Sequence, residues 1–258
     1  MKNNRNMHQK VVLNNWLSAI IQKDSYDLFV DDEFIEQSKL NGTNEYGWVN
    51  SLQCINIPMF IQTKVSTQAI NSINFLERIG FFLIDTNITL KKEIDLRHIK
   101  DTKQESQDIE IRFAKDCDRE GTVSVASNTF IYSRFHLDPW FSNELANKIK
   151  AQWVSGYFDG NRGEQMVIAS FDNKIIGFLL ILKPVNDHFI IDLIGVDKNH
   201  QRRGIAKKMI DYAILVNSDI NHVIVGTQIG NVPSIKLYQK MGFFMDYAKY
   251  VFHLHINE

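Results

Sequence analysis

The chain has 258 residues, of which 29 are basic and 30 acidic, so its formal net charge is −1 at neutral pH. This balance excludes the strongly positive surface of proteins that bind nucleic acids or anionic membranes, and an apolar content of 44% suffices for a substantial core. The apolar runs have the length of strands, and residues 1–10 are polar, unlike a secretion signal. We therefore expect a cytoplasmic protein of one large or two small domains.

Cysteine and histidine are sparse and scattered. The chain has 2 cysteines, Cys54 and Cys117, which form neither a disulfide framework nor a metal-binding spacing. His253 and His255 alternate with apolar residues in a strand-like tail, a pattern that indicates surface or packing positions. We therefore expect reduced thiols and no metal.

A segment in the first hundred residues recurs near the C-terminus. Residues 72–82 (SINFLERIGFF) and 234–244 (SIKLYQKMGFF) are identical at five of eleven positions. Leu76 stands where the second copy has Tyr238. We interpret residues 1–100 as a degenerate copy of the fold at 106–258, joined to it by a polar linker at 100–107; a chance match of two amphipathic helices is the alternative.

Helical and strand-like patterns alternate from residue 108 to the C-terminus. The predicted elements are, in chain order, a strand at 108–112, helices at 116–130 and 141–158, strands at 166–171, 175–182 and 188–196, a helix at 207–216, a strand at 222–228, a helix beginning after Asn231, and a strand at 243–256. Turn residues separate the three central strands. This order predicts a mixed α/β fold.

A short basic turn lies between the strand at 188–196 and the helix that follows it. The turn consists of Gln201, Arg202, Arg203, Gly204, Ile205 and Ala206. Free backbone N–H groups and the positive end of the helix dipole point at such a turn, so it stabilises an anion, typically a phosphate. An ordinary Arg-Gly turn before a helix is the alternative.

The helix after Asn231 carries a second pattern. Asn231 suits the position before a helix, Pro233 is tolerated in the first turn, and Gly242 suits the end. The spacing of Asn231, Ser234, Tyr238 and the Gly-Phe pair at 242–243, together with the basic turn, resembles the two CoA-side motifs of the GNAT superfamily of N-acyltransferases. The chain is on this basis identified as resembling a GNAT enzyme.

The resemblance implies an α/β fold whose mixed sheet opens around acyl-CoA. In that fold the turn at 201–206 holds the pyrophosphate, Asn231 lies on the CoA side, and residues 1–100 form a GNAT-like acceptor-side wall that binds no CoA. It also implies that the backbone of Ile194, Gly195 and Val196 contacts the pantetheine and polarises the thioester carbonyl. Gly195 marks a bulge or a close backbone approach.

The same resemblance implies catalytic roles. Tyr238 is expected to protonate the departing thiolate, since a phenol with a pKa of about 10 is protonated at neutral pH; an ordinary packed tyrosine is the alternative. Asp85 matches an acidic position in the TDP-fucosamine acetyltransferases and is the candidate general base, with His136 in reserve. A solvated strand-end residue is the alternative for Asp85.

The segment 133–141 (SRFHLDPWF) indicates a narrower class of acceptor substrate. With residues 151–153 and 226–231 it resembles bacterial TDP-fucosamine acetyltransferases and related dTDP-amino-sugar N-acyltransferases, some of which use a hydroxyacyl donor such as 3-hydroxybutanoyl-CoA. Arg134 is suited to pair with a phosphate, His136 is a further candidate, and Phe135 or Trp140 is suited to stack on a base or sugar. The alternative is a structural loop in which Asp138 and Pro139 cap the long helix and Phe135 and Trp140 fill a hydrophobic gap.

Two other functions stay open on the sequence. One is a GNAT enzyme for another amine, such as a protein N-terminus or an aminoglycoside; the other is a non-catalytic sensor of acyl-CoA. The Tyr238 and Asn231 pair favours an enzyme, because a module that only binds has no need of an acid at the sulfur. We expect acetyl-CoA or another short acyl-CoA as cosubstrate, a nucleotide sugar as acceptor, and either a monomer or a homodimer.

Overall fold

The computed structural model describes residues 10–41, 58–94, 108–185 and 187–257. The predicted linker at 100–107 lies outside the described residues. Within this part of the chain, no helix is both long enough and apolar enough to cross a membrane.

Helices and strands alternate along the described residues. The strands are β1 (Val11–Leu13), β2 (Asp24–Leu28), β3 (Met59–Ser66), β4 (Phe82–Glu93), β5 (Ile109–Phe113), β6 (Gln165–Phe171), β7 (Lys174–Val185), β8 (His188–Val196), β9 (His222–Gln228) and β10 (Phe244–Ile256). The helices are α1 (Asn15–Ile21), α2 (Asp32–Asn41), α3 (Ile70–Arg78), α4 (Arg119–Thr129), α5 (Arg134–Leu137), α6 (Asn143–Phe158), α7 (Ile205–Val216) and α8 (Val232–Lys240). The mixed α/β class and the predicted order after residue 108 are confirmed.

Two compact units make up the chain. The N-terminal unit comprises Met1–Asn87, Leu137–Trp140 and Ala248–Glu258, and the C-terminal unit comprises Ile88–His136 and Phe141–Tyr247. We expected one boundary near residues 100–106; the division instead falls within β4 and β10, and it assigns Leu137–Trp140 and the end of the chain to the N-terminal unit. The reason is visible in the strand pairing, because β10 pairs with β3.

The N-terminal unit contains a set of paired strands with mixed directions. Strand β1 pairs antiparallel with β2, β2 runs parallel to β3, and β3 pairs antiparallel with β10 from Lys249↔Ser66 to Ile256↔Met59. Its core is formed by apolar side chains of these strands and of α2 and α3, among them Phe34, Met59, Ile61, Phe75, Leu76 and Phe252.

The C-terminal unit contains five further paired strands. Strands β5, β6, β7 and β8 pair antiparallel in sequence, and β9 joins β8 in parallel. Asp172 and Asn173 have positive φ values of 50° and 58°, as a two-residue hairpin between β6 and β7 requires. The core under α4 and α6 includes Ala126, Val154, Met166, Ile168, Phe178 and Leu193.

Candidate active site

Strands β8 and β9 begin as a parallel pair and then part. Their pairing runs from His188↔His222 to Ile191↔Val225, whereas β8 continues to Val196 and β9 to Gln228. The edge of β8 after Ile191 therefore has no ladder partner in β9. Open backbone donors and acceptors on such an edge can pair with an extended ligand as a further strand would.

A bulge in β8 marks the point where the strands part. On the β7 side, Leu180 pairs with Leu193 and Ile181 pairs with Ile191, so Asp192 is the extra residue. A bulge bends its strand and increases the local twist, which redirects the remainder of β8 away from β9. One prediction from the sequence was a bulge at Gly195. The observed bulge lies three residues earlier, at Asp192.

At Gly195 the close contact is with an aromatic side chain, and a close backbone approach by a ligand stays a prediction. A Cβ atom at this position would lie 2.8 Å from Cε1 of Phe178, which faces it across the β7–β8 pair. A contact below 3.0 Å forces a fully buried aromatic ring to move. Glycine at 195 therefore lets β7 and β8 stay paired beside the open edge that includes Ile194 and Val196.

The basic turn after β8 has the backbone shape of an anion cradle. Arg202 and Gly204 have positive φ values of 62° and 75°, and Gly204 is the N-cap of α7 without any side-chain cap bond. The first amides of α7 have no intrahelical acceptor, so they are available to an anion. Gln201, Arg202 and Arg203 are exposed, and Gln201 Nε2 donates to the carbonyl of Val196 at 3.0 Å, which ties the turn to the end of β8.

Helix α7 is held against the sheet by an apolar face. Its buried residues recur with helical spacing and are Ile205, Met209, Ile210, Ala213 and Ile214. The residue after Ile205 in the turn, Ala206, is only half-buried. This packing fixes where the N-terminus of α7 points.

Tyr238 lies inside α8, which begins as the sequence predicts. Asn231 is the N-cap, its side chain accepts from the backbone N–H of Ser234 at 3.4 Å, and its amide donates to Thr227 Oγ1 at 3.2 Å. Tyr238 is 2% exposed and packs on Phe243 at 5.4 Å between ring centroids. Burial raises the pKa of Tyr238, so its phenol carries a proton throughout the neutral range.

Phe135 is not available to a ligand, contrary to one of the two stacking options. It is fully buried, packs edge-on against Phe141 at 5.7 Å, and carries the guanidinium of Arg134 over its ring at 4.5 Å. The apolar filling of a structural loop is therefore confirmed for Phe135. Arg134 keeps a partly exposed side chain on α5 in the C-terminal unit.

His136 has both ring nitrogens engaged. Nδ1 lies 2.6 Å from Ser133 Oγ and Nε2 lies 2.9 Å from Asn147 Oδ1. Burial lowers the pKa of His136, an effect that the Asn147 contact opposes and Lys150 reinforces. A neutral imidazole held this way orients α5 against α6; its use as a reserve base stays a prediction.

Asp138 does not cap the long helix. The N-cap of α6 is Ser142, whose side chain accepts from the backbone N–H of Leu145 at 3.1 Å. Asp138 instead accepts from the rings of His253 and His255, both of which are buried rather than at the surface. Trp140 is 57% exposed.

Asp85 is buried within β4 of the N-terminal unit, at 8% exposure. The alternative of a solvated strand-end residue is therefore wrong. Tyr238 belongs to the C-terminal unit, so the role of Asp85 as a base stays a prediction.

An ion pair that was not predicted from the sequence lies at the bulge. Arg162 grips Asp192 with two hydrogen bonds, Nε to Oδ2 at 2.6 Å and Nη2 to Oδ1 at 2.7 Å, and the Trp153 indole N–H donates to Oδ2 at 2.8 Å. The Arg162 guanidinium also lies 4.3 Å from the Trp153 ring. One signal was present: Asp192 interrupts an otherwise apolar strand.

Comparison with known proteins shows a likeness to one family. Residues 129–243 match the model of the Acetyltransferase (GNAT) family. This part of the chain is therefore similar to GNAT acetyltransferases.

Two curated proteins and one solved structure are also similar to this chain. The chain is 31% identical over 139 residues to the spore coat polysaccharide biosynthesis protein SpsD of Bacillus subtilis, covering 53% of this chain and 47% of SpsD. It is 33% identical over 107 residues to N-alpha-acetyltransferase 30 of Xenopus laevis, covering 39% of this chain and 38% of that protein. The chain thus spans less than half of either relative. The GCN5-related N-acetyltransferase of Sphaerobacter thermophilus shares the fold, with a TM-score of 0.62 at 14% identity, over 96% of this chain and 76% of that one.

Proposed function

We propose that the protein is an acyl-CoA-dependent N-acyltransferase whose acceptor is a dTDP-linked 3- or 4-amino-dideoxyhexose. The observation that carries the acyltransfer is the open edge of β8 after Ile191, set between the bulge at Asp192 and the positive-φ turn before α7. An extended pantetheine fits an edge with free ladder positions, and its pyrophosphate fits the turn. The donor is acetyl-CoA or a short hydroxyacyl-CoA.

The proposed reaction is a direct attack in a ternary complex. The uncharged amine of the sugar forms a C–N bond with the thioester carbonyl carbon, the C–S bond breaks, and the thiolate takes the proton of Tyr238. Backbone N–H groups near Ile194, Gly195 and Val196 stabilise the charge that develops on the carbonyl oxygen. The second proton of the amine passes to a base, for which Asp85 is the candidate. Tyr238 then regains a proton from solvent.

One relative and two exposed or partly exposed side chains support the acceptor class. SpsD is named as a spore coat polysaccharide biosynthesis protein, and a polysaccharide pathway is where an activated amino sugar is consumed. Arg134 is a partly exposed guanidinium in the same unit as the CoA-side elements, and it suits a sugar-nucleotide diphosphate. Trp140 is exposed and offers a ring face, as sugar binding favours.

A protein N-terminus is the second candidate acceptor. It is favoured by the match to N-alpha-acetyltransferase 30 over 107 residues. A peptide amine differs from an amino sugar in lacking a diphosphate, so Arg134 would then have no anion to bind.

The test is the release of free thiol from several acyl-CoAs in the presence of a panel of acceptors, with product masses measured. We expect turnover with dTDP-4-amino or dTDP-3-amino-dideoxyhexoses and little with the free amino sugar or a peptide amine. Efficient turnover of the peptide alone would overturn the sugar assignment and keep the acyltransferase. No thiol release with any acceptor, from a protein that binds acyl-CoA, would favour the sensor.

Two arginine variants separate the two substrates. Arg134→Ala should raise the KM of the sugar nucleotide and leave that of acyl-CoA nearly unchanged, since the proposed acceptor contact is lost while the turn at 201–206 is untouched. Arg203→Ala, which removes an exposed charge from the turn, should do the reverse. Equal effects of both substitutions on both KM values would contradict the separate assignment of these residues.

A further inference from the structure

Three side chains of the N-terminal unit converge on one point in its interior. Asp138 Oδ2 lies 2.6 Å from His253 Nδ1 and 2.8 Å from His255 Nε2. The side chains of Asp138 and His253 are fully buried, and that of His255 is 2% exposed. Their donor atoms all lie within 4.8 Å of one another.

The fold produces this convergence from a simple pattern. His253 and His255 are two residues apart on β10, so their side chains leave the strand on the same face. Both rings contact Phe60 of β3, at 4.8 Å and 4.9 Å between centroids, which restricts their orientation. Asp138 approaches from the Leu137–Trp140 segment, more than a hundred positions earlier in the chain.

We propose that Asp138, His253 and His255 form a binding site for a divalent transition-metal ion, with Zn²⁺ as its best-suited occupant. Two imidazoles and one carboxylate are the ligand types that Zn²⁺ takes in proteins. Among residues 10–41, 58–94, 108–185 and 187–257, this is the one cluster of at least three such ligand groups.

The surroundings already hold the ligands in place. The backbone N–H of Trp140 donates to Asp138 Oδ1 at 2.9 Å, which leaves Oδ2 directed at the two rings. The Trp140 ring stacks on His255 at 5.5 Å and 18°. Outer contacts that orient a ligating carboxylate and imidazole are typical of protein metal sites.

Binding requires a small movement and a change of tautomer. In the present geometry the carboxylate accepts two N–H protons, whereas a tetrahedral ion at about 2.0–2.1 Å from each ligand would separate the ligand atoms by about 3.3 Å. Each ring then keeps one proton on its other nitrogen. For His255 that nitrogen is Nδ1, which lies 3.3 Å from Lys23 Nζ.

The burial of the cluster indicates a structural ion. It would tie the end of β10 to the Leu137–Trp140 segment within the N-terminal unit. A ligand that binds only the folded state stabilises it by about 2.7 kcal/mol at a hundredfold excess over its dissociation constant. An added ion should therefore raise the melting temperature.

The experiment titrates the chelator-treated full chain with Zn²⁺ by calorimetry and with Co²⁺ by visible absorption. Every protein carries Cys117→Ser, because an exposed thiol binds the same metals. We expect one ion per chain and a higher melting temperature. Asp138→Asn and His255→Gln should each weaken binding by about 100-fold or more, since each removes a ligand. The matched control is His222→Gln, which alters a ring stacked on His188 in the C-terminal unit and should change nothing.

The fluorescence of Trp140 reports the position of the bound ion independently of the binding affinity. Co²⁺ bound to His255 should quench the fluorescence of the stacked indole, and Trp140→Phe should remove the quenched component. No saturable binding of Zn²⁺ or Co²⁺ below about 1 mM, the weak end of specific affinity, would overturn the proposal. So would binding that survives both ligand substitutions in folded protein. A loss of stability in Asp138→Asn, with no response of the parent protein to metal, would identify the cluster as a hydrogen-bonded network only.

Discussion

Helix α3 of the N-terminal unit and helix α8 of the C-terminal unit have the same local design. Each follows a strand, ends before a glycine with φ near +85° (86° at Gly80, 85° at Gly242), and leads into a long strand. The Phe81 N–H donates to the Leu76 carbonyl at 3.0 Å, and the Phe243 N–H donates to the Tyr238 carbonyl at 2.9 Å. These are equivalent helix-ending bonds.

Helices α3 and α8 end with the same backbone geometry but carry different side chains at two equivalent positions. The equivalent buried position is Leu76, at 0% exposure, in one segment and Tyr238, at 2%, in the other. The N-cap of α3 is Ala69, which makes no side-chain cap bond, whereas the N-cap of α8 is Asn231, which makes one. Packing and helix-ending geometry have thus been kept in both, while the phenol is present only in the C-terminal segment. We infer that both helices need a buried side chain at this position, whereas the proposed acid role of Tyr238 also needs the phenol proton.

The largest expected effect is a loss of stability on shortening the buried side chain of α3. Leu76→Ala should lower the free energy of unfolding by about 2–5 kcal/mol, because it removes a fully buried side chain and leaves a cavity. Urea unfolding followed by circular dichroism measures the change. The control is Ile70→Ala in the same helix, where the side chain is 58% exposed and the cost should be small. Equal costs at the two positions would show that α3 does not hold its unit together.

The next effect is on the chemical side. Tyr238→Phe keeps the buried ring and removes the proton donor, so turnover should fall about 100-fold or more. The dissociation constant for acyl-CoA should barely change. Tyr247→Phe, at a half-exposed tyrosine of the same unit, is the control and should keep its activity. Near-normal turnover of Tyr238→Phe, with acyl transfer shown to be rate-limiting, would end the assignment of Tyr238 as the acid.

The sequence predicted features whose causes are local. Asn231 before α8 and Gly242 after it act within a few residues, so their types reveal the helix ends. The order of strands after residue 108 follows from periodicity. The basic turn could also be predicted, because a glycine and two arginines directly precede an amphipathic helical pattern.

The features that the sequence did not predict depend on distant partners. The bulge at Asp192 is defined by its register against β7, and its side chain is fixed by Arg162, 30 positions away. His253 meets Asp138 across 115 positions, so neither residue type announces the contact. The same holds for Phe135, whose burial is decided by packing and not by its neighbours in sequence.

A smaller effect, equal in both segments, is expected at the glycines. Gly80→Ala and Gly242→Ala should each cost about 1–2 kcal/mol, because a Cβ is disfavoured in the left-handed region. At Gly242 a Cβ would meet nothing within 4 Å, so the cost there is conformational. Gly230→Ala, at a glycine with open space and no positive φ, is the control. Thermal unfolding of the three variants checks this; costs that differ widely between Gly80 and Gly242 would mean that the two turns are not equivalent.

The smallest effects are expected at the N-caps, and they have opposite signs. Asn231→Ala should destabilise by about 1 kcal/mol, because the Ser234 N–H loses its acceptor, whereas Ala69→Asn should stabilise by a similar or smaller amount if α3 accepts the same cap. For a domain of about 150–250 residues, 1 kcal/mol corresponds to a shift of about 2–4 °C in melting temperature. Asn231→Ser keeps a capping oxygen while shortening the reach to Thr227, so it separates the cap from that second contact. If Ala69→Asn destabilises the protein, the start of α3 differs from that of α8 in backbone shape and not only in its side chain, and the likeness of the two segments is then confined to their helix ends.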